Sequence, residues 1–246
     1  MNALQLGNIN VVIAGSGGIG AAMVQHLLAS YPVEKLFWLH RSEPADCNDP
    51  RVIKLFCDAT APASIVAATE AISQGCEQLH VVINTVGMLH AQGITPEKRL
   101  RDVSLEAMLE LATVNAFFLP QLAAGLAPLL RHPQASILAS LSARVGSITD
   151  NGMGGWYSYR ASKAAHNMLL KTLAREWRVS HKLCSVVALH PGTVDTALSQ
   201  PYTPANYRKR VLTPPECAEA LLGVLGGLTT EQSGSFFSWE GEELPW

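Results

Sequence analysis

In the stretch WYSYRASKAAHNML a tyrosine and a lysine stand four residues apart, Tyr159 and Lys163. On a helix that spacing puts both side chains on one face. A free phenol titrates near 10 and is a poor acid or base at neutral pH, but an adjacent ammonium stabilises its phenolate and draws the pKa toward the working range. Such a pair could pass a proton to or from an oxygen atom of a bound molecule. Tyr/Lys pairs at this spacing are common and usually mean only a solvated helix face. This one is set apart by the small Ala161 and Ser162 between its members, and by a second motif that would hold a reaction partner.

That second motif is IAGSGGIGAAM, residues 13–23, where Gly15-Ser16-Gly17-Gly18-Ile19-Gly20 satisfies GxGxxG directly after an apolar run. A pyrophosphate must approach the backbone closely; glycines permit the turn, remove Cβ atoms and leave the N–H groups of a helix N-terminus facing the negative charge. The plain alternative is a tight strand-to-helix turn with no ligand. About twenty residues on, the chain reads LHRS, with Arg41 and Ser42 after His40 and no carboxylate before Glu43. A carboxylate there would bind the ribose hydroxyls of NAD, whereas an arginine pairs with the 2′-phosphate of NADP. Arg41 and Ser42 therefore predict NADP(H), the alternative being a solvated surface charge. Asp58, in FCDAT, is placed either to accept the adenine amino group or to cap the following helix.

These side chains need a frame. Short runs at 9–14, 35–40, 51–56, 79–84, 135–140 and 184–189 are apolar almost throughout, as strands buried on both faces are. Helical segments at 18–30, 62–74, 104–131, 157–179 and 214–226 alternate with them, and a last strand around 235–239 closes the set. The βαβα order predicts an α/β fold with a mostly parallel seven-stranded sheet and helices on both faces. Pro120 predicts a kink near Asn115 by freeing the carbonyl of Ala116. The proline-rich stretch 191–215 reads as a loop excursion, and no linker or repeat divides the 246 residues.

Composition removes other classes. A formal net charge of -2 offers no general attraction for nucleic acid or an anionic membrane. The odd, scattered cysteines Cys47, Cys57, Cys76, Cys184 and Cys217 predict reduced thiols in a cytoplasmic protein rather than disulfides. His40 and His190 lack a second ligand at metal spacing, so no metal is expected. The first basic residue is Lys35 and no apolar run approaches a membrane span, which predicts a soluble chain without a signal peptide.

Together these motifs resemble the short-chain dehydrogenase/reductase family nearly end to end. Its glycine motif matches Gly18-Ile19-Gly20, with the first glycine falling on Ala14 and Gly15 beside it. Asn84-Thr85-Val86-Gly87 corresponds to the motif after the fourth strand, where Asn84 and Gly87 would stabilise the sheet and floor the cofactor site. Asn115, Ser142, Tyr159 and Lys163 match the catalytic set. Pro191-Gly192 precedes Val194 and Thr196, which would fix the cofactor carboxamide. The strings SARVGSITDN, GGWYSYRASKAA, HPGTVDT and GEELPW are similar to the C-factor-like, or C-signal-like, branch and its carbonyl-reductase relatives.

The resemblance implies one Rossmann-like doubly wound domain over residues 1–246, with substrate loops around 146–158 and 193–213. It implies an NADP(H)-dependent oxidoreductase acting on a small carbonyl or alcohol, with Tyr159 as general acid/base, Ser142 polarising the oxygen, Lys163 binding ribose and tuning Tyr159, and Asn115 holding a water. The alternative is a dinucleotide-binding regulatory or signalling protein of the same fold. Met153, Trp156, Leu198 and Tyr202 would give an apolar substrate mouth, or else Trp156 and Tyr202 belong to the core or a subunit contact. Trp246 should dock against its own chain or a neighbour, and a homo-dimer or homo-tetramer built on 104–131 and 157–179 is expected.

Overall fold

The computed structural model describes residues 2–44 and 46–246. Among these the strands are, in chain order, β1 (Ile9–Ala14), β2 (Val33–His40), β3 (Val52–Phe56), β4 (Val81–Asn84), β5 (Ser136–Leu141), β6 (Cys184–His190), β7 (Thr193–Val194), β8 (Val211–Leu212) and β9 (Phe236–Ser238). Seven of them form one sheet in the order β3-β2-β1-β4-β5-β6-β9, with every pairing parallel. The central strands are mostly apolar because helices cover both faces and leave neither to water. Strand order reverses between β1 and β4, and crevices at such reversals, outside the carboxyl ends of the strands, are where open α/β sheets bind ligands.

Six α-helices are described: α1 (Gly18–Ser30), α2 (Pro62–Gly75), α3 (Leu105–Ala112), α4 (Phe118–Leu130), α5 (Tyr157–Ser180) and α6 (Pro214–Gly226). Met23 and Leu27 of α1 join Leu221 and Leu225 of α6 against Ile13 and Val187 on one face of the sheet. Ile72 of α2, Leu122 and Leu126 of α4 and Leu170 of α5 pack with Phe37 and Val186 on the other.

The segment 104–131 does not run as one helix. A π turn, Thr113–Phe117, separates α3 from α4 and carries Asn115. The break thus falls where the kink is expected, although it precedes Pro120, which sits in the first turn of α4, where a missing N–H costs least. Pro128 lies inside α4. The window Leu105–Leu130 is long and apolar enough to cross a membrane, but over half of it is buried in this fold.

Residues 191–215 are more regular than a loop excursion. β7 and β8 form a separate parallel pair, and a 3₁₀ turn covers Gln200–Tyr202. Trp246 docks on its own chain: its ring stacks on Phe236 at 5.5 Å, Lys171 Nζ lies 5.0 Å from its centre, and Thr149 Oγ1 donates to its carbonyl at 3.0 Å.

Candidate active site

The glycine turn leaves β1 through Gly15, which takes φ +110°, a conformation glycine adopts without steric cost. Ala14 ends the strand and Gly15 makes the turn. A Cβ at Gly20 would lie 2.2 Å from the Gly15 carbonyl oxygen, so α1 is seated against the turn more closely than alanine allows. Gly17 is the N-cap and contributes no side-chain bond, leaving the first-turn N–H groups available to an anion. Ser16 Oγ donates to the Ser42 carbonyl at 3.2 Å and joins this turn to the end of β2. Ile19 packs its side chain on the core, so only its backbone faces the turn.

A cavity of about 490 Å³ follows, walled by Gly15, Ser16, Arg41, Ser42, Val86 and Gly87 among others. Glu43, the nearest carboxylate in sequence, is paired with Lys54 at 3.5 Å. Asp58 lies beside this cavity, and its Oδ1 is already engaged, accepting from Thr60 N at 2.8 Å and Thr60 Oγ1 at 2.7 Å. Those bonds, helped by the charge of Arg41, hold its carboxyl below the usual range. The helix cap expected as the alternative is not formed by Asp58: the N-cap of α2 is Ala61, and Asp58 instead closes a local turn onto Thr60.

Asn84 is spent on the sheet: its Nδ2 donates to Ser140 Oγ at 2.9 Å across β4 and β5, and its Oδ1 accepts from Val86 N at 3.0 Å. Gly87 is the hinge between cavity and chemistry. It lines the cavity, and a Cβ there would lie 3.5 Å from Lys163 Nζ and 3.6 Å from Asn115 Oδ1. Asn115 is locked in the π turn by Met88, whose N–H donates to its Oδ1 at 2.7 Å and whose carbonyl accepts from its Nδ2 at 2.8 Å. Its Nδ2 also donates to Ser162 Oγ at 2.9 Å.

Lys163 Nζ donates to the Leu141 carbonyl at 3.0 Å, next to Ser142. Burial brings its pKa down to about 8. Burial also pushes the Tyr159 phenol above its ordinary 10. Among the chain's own groups burial therefore prevails, and the phenol pKa is not lowered as the i,i+4 spacing alone predicts. Among the described residues no hydrogen bond joins Tyr159 to Lys163 or Ser142. Ser142 is buried, and its hydroxyl donates to Asn167 Oδ1 at 2.5 Å. His166, one turn beyond Lys163, is fully buried, and burial with the nearby Lys163 charge lowers it to about 3, so the imidazole is neutral.

Tyr159 sits in an apolar cluster with Leu89, Ile94 and Leu111, against which Trp156, Leu198 and Tyr202 pack. The Trp156 ring meets Tyr202 at 5.3 Å and Tyr159 at 6.1 Å, both edge-on. Met153 is a correction: it is 92% exposed and stands apart from this cluster. The segment after β6 contributes Ala197 and Leu198 to the cavity wall. Gly192 turns at φ +76°, the Thr196 methyl lies 3.0 Å from a Cβ built at Gly18, and Val194 O accepts from Thr196 Oγ1 at 3.4 Å. Pro191 O accepts from Cys217 Sγ at 3.6 Å, tying the start of that segment to α6.

Two residues escaped the sequence. Glu97 is buried; its carboxylate accepts from Ser158 N at 3.2 Å and from Ser158 Oγ, and its carbonyl accepts from Trp156 N at 2.6 Å. It thereby caps α5, whose N-cap Trp156 has φ 54° and no side-chain bond of its own. Asn167 had a visible signal, since it lies four residues beyond Lys163 on the same face; Glu97 had none.

Residues 8–206 match the family model for short chain dehydrogenase. C-signal of Myxococcus xanthus is 34% identical over 147 residues, 60% of this chain and 83% of that protein. The 1-hydroxy-2-glutathionyl-2-methyl-3-butene dehydrogenase of Rhodococcus sp. (strain AD45) is 30% identical over 192 residues, 77% of this chain and 78% of that protein. Among solved structures, the NADPH-bound carbonyl reductase from chicken fatty liver superposes with a TM-score of 0.84 at 29% identity, covering 98% of this chain and 100% of that one.

Proposed function

Since the chain belongs to the short-chain dehydrogenase family, we propose that it is an NADP(H)-dependent reductase of small apolar carbonyl compounds, with Tyr159 as the proton donor. The observation that carries this reading is the position of Gly87, a wall of the cavity that lies against both Lys163 and Asn115. The residues present fit a dinucleotide: the turn at Gly15 to Gly20 takes the pyrophosphate, Arg41 and Ser42 the 2′-phosphate, and Val194 and Thr196 the carboxamide end. When bound, the nicotinamide supplies the hydride that goes to the carbonyl carbon.

The chain's own residues supply the proton and the orientation. Burial keeps the Tyr159 phenol protonated, which is the form that donates to a developing alkoxide. Ser142 contacts the same oxygen and fixes the angle at which it meets the phenol. Lys163 binds ribose, and its charge stabilises the phenolate left after transfer. Asn115, clamped by Met88, positions a water that returns the proton. Trp156, Leu198 and Tyr202 make the mouth apolar and favour a hydrophobic carbonyl compound over a sugar or polyacid.

The likeness to C-signal supports a second reading, a dinucleotide-dependent signalling protein. The complete Asn/Ser/Tyr/Lys set favours the reductase, because a pure binder has no use for all four. Exposed Leu105, Met108, Leu109 and Phe117 on α3 and the π turn, with Met168 on α5, support self-association as a homo-dimer or homo-tetramer. Five free thiols suit a reducing cytoplasm. Loss of NADPH absorbance with a panel of carbonyl compounds tests the function. Tyr159→Phe should slow turnover roughly 10²- to 10⁴-fold with NADPH affinity kept; unchanged turnover would remove Tyr159 from the mechanism.

A further inference from the structure

A serine hydroxyl has one proton, and in this structure Ser142 gives it to Asn167. The Oγ to Oδ1 distance is 2.5 Å, and the two side chains are 3% and 4% exposed. So placed, Ser142 can only accept a hydrogen bond from a bound molecule. That suits an alcohol, which brings its own proton. A carbonyl oxygen has none and needs donors.

The partner amide has the complementary oddity. Asn167 Nδ2 is buried and finds no hydrogen-bond acceptor among the described residues. A half-turn of the amide exchanges its two ends. Nδ2 then faces Ser142 Oγ and donates to it, the amine end is satisfied, and the serine proton is released toward the substrate side. Oδ1 takes the unpaired place, which a carbonyl oxygen tolerates better than an amine.

We infer that Asn167 is a positioning residue that sets the hydrogen-bond polarity of Ser142. With the amine end inward Ser142 donates to a carbonyl; with the oxygen end inward it accepts from an alcohol. The same pair thus serves both directions of the reaction without moving a helix. This inference rests on the reductase reading for its consequence in turnover, but the hydrogen bond itself is made by the chain's own side chains. The titratable and charged groups nearest the pair are Lys163 and His166 on α5, Arg144 two residues beyond Ser142, and His190, next to Leu189, whose carbonyl accepts from Ser142 N at 2.7 Å.

The test replaces Asn167 by residues of fixed polarity. In Asn167→Asp the ionised carboxylate only accepts and keeps the serine proton, so carbonyl reduction falls at least tenfold. Activity returns as pH drops through the pKa of the introduced carboxyl, because its protonated form can donate to Ser142. Asn167→Ala leaves that proton free and slows the reaction less. In a Ser142→Ala background neither change adds a further loss. Equal losses in the two variants with no new pH limb, or an Asp variant like the parent, would overturn the inference and leave Asn167 a packing residue.

A second arm needs no turnover. The pH dependence of urea stability of cofactor-free Asn167→Asp should titrate about one pH unit higher when Ser142 is also replaced by alanine, since the hydroxyl no longer stabilises the carboxylate. Identical midpoints overturn the pairing. If the Asp variant does not fold, additive stability losses for Asn167→Ala and Ser142→Ala do the same, and a coupling between them supports it. A parent protein inert toward every carbonyl compound would sink the reductase reading, while this arm still decides the pair.

Discussion

Replacing Lys163 by methionine should change how stability responds to pH in a calculable way. The ammonium is 3% exposed, and burial lowers its pKa from 10.5 to about 8. Below pH 8 both the folded and unfolded chains carry the proton, and the cost of burying the charge is constant. Between pH 8 and 10.5 the folded chain sheds its proton first, so the unfolded state binds more protons and stability rises with pH. The parent should gain on Lys163→Met by about 1.4 kcal/mol at pH 9 and about 2.5 kcal/mol at pH 10. Cys57, Cys184 and Cys217, raised by burial to about 11, 12 and 12, act in the opposite sense, since their unfolded thiols ionise first. Only the difference between parent and variant isolates Lys163. Urea unfolding of cofactor-free protein at pH 7, 8, 9 and 10, followed by tryptophan fluorescence, gives that difference. A gap that stays flat from pH 7 to 10 would refute the argument and mean that the ammonium is solvated where it sits.

Other consequences are open to direct measurement. Arg41→Ala should weaken NADPH by roughly tenfold to a hundredfold, about 1.5–3 kcal/mol, and leave NADH unchanged in calorimetry; equal weakening of both would take Arg41 off the 2′-phosphate. Gly20→Ala places a Cβ 2.2 Å from the Gly15 carbonyl oxygen, so dinucleotide binding should vanish in a fluorescence titration while the folded sheet persists, and retained affinity would show that the turn can relax. Leu109→Glu with Phe117→Glu should reduce the mass in light scattering to that of one chain at micromolar concentration; an unchanged larger mass would put the subunit contact elsewhere.

Much of the scaffold was legible because a parallel sheet covered on both sides writes itself as continuous apolar runs, and Ile9–Ala14, Val81–Asn84 and Ser136–Leu141 are such runs. The glycine turn marked the start of α1, whose span Gly18–Ser30 is the expected one. The position of the π turn was only half legible: Pro120 marks trouble in that region, but the break is set by Asn115 reaching Met88 across the site. β7 and β8 were hidden because each is two residues long and pairs with a partner that sequence alone does not identify. In the site, the hydrogen-bond partners and surroundings of the motif residues were not legible. Asp58 was bonded to Thr60, Tyr159 was shifted upward rather than down, and Ser142 faced Asn167. Each depends on burial and on which chain segments meet, and spacing carries neither.

The cap supplied by Glu97 has a bearing on the order in which the molecule assembles. The carboxylate and the first turn of α5 are 61 residues apart, and the intervening chain includes α3, α4 and β5. That turn cannot be completed when α5 first coils; it waits until the loop after β4 has been delivered beside it. A helix nucleated on its own would therefore be finished at its far end and ragged at the end that bears Tyr159. Native-state hydrogen exchange should show it, with the amide of Ser158 opening together with the loop around Glu97 and not with the middle of α5.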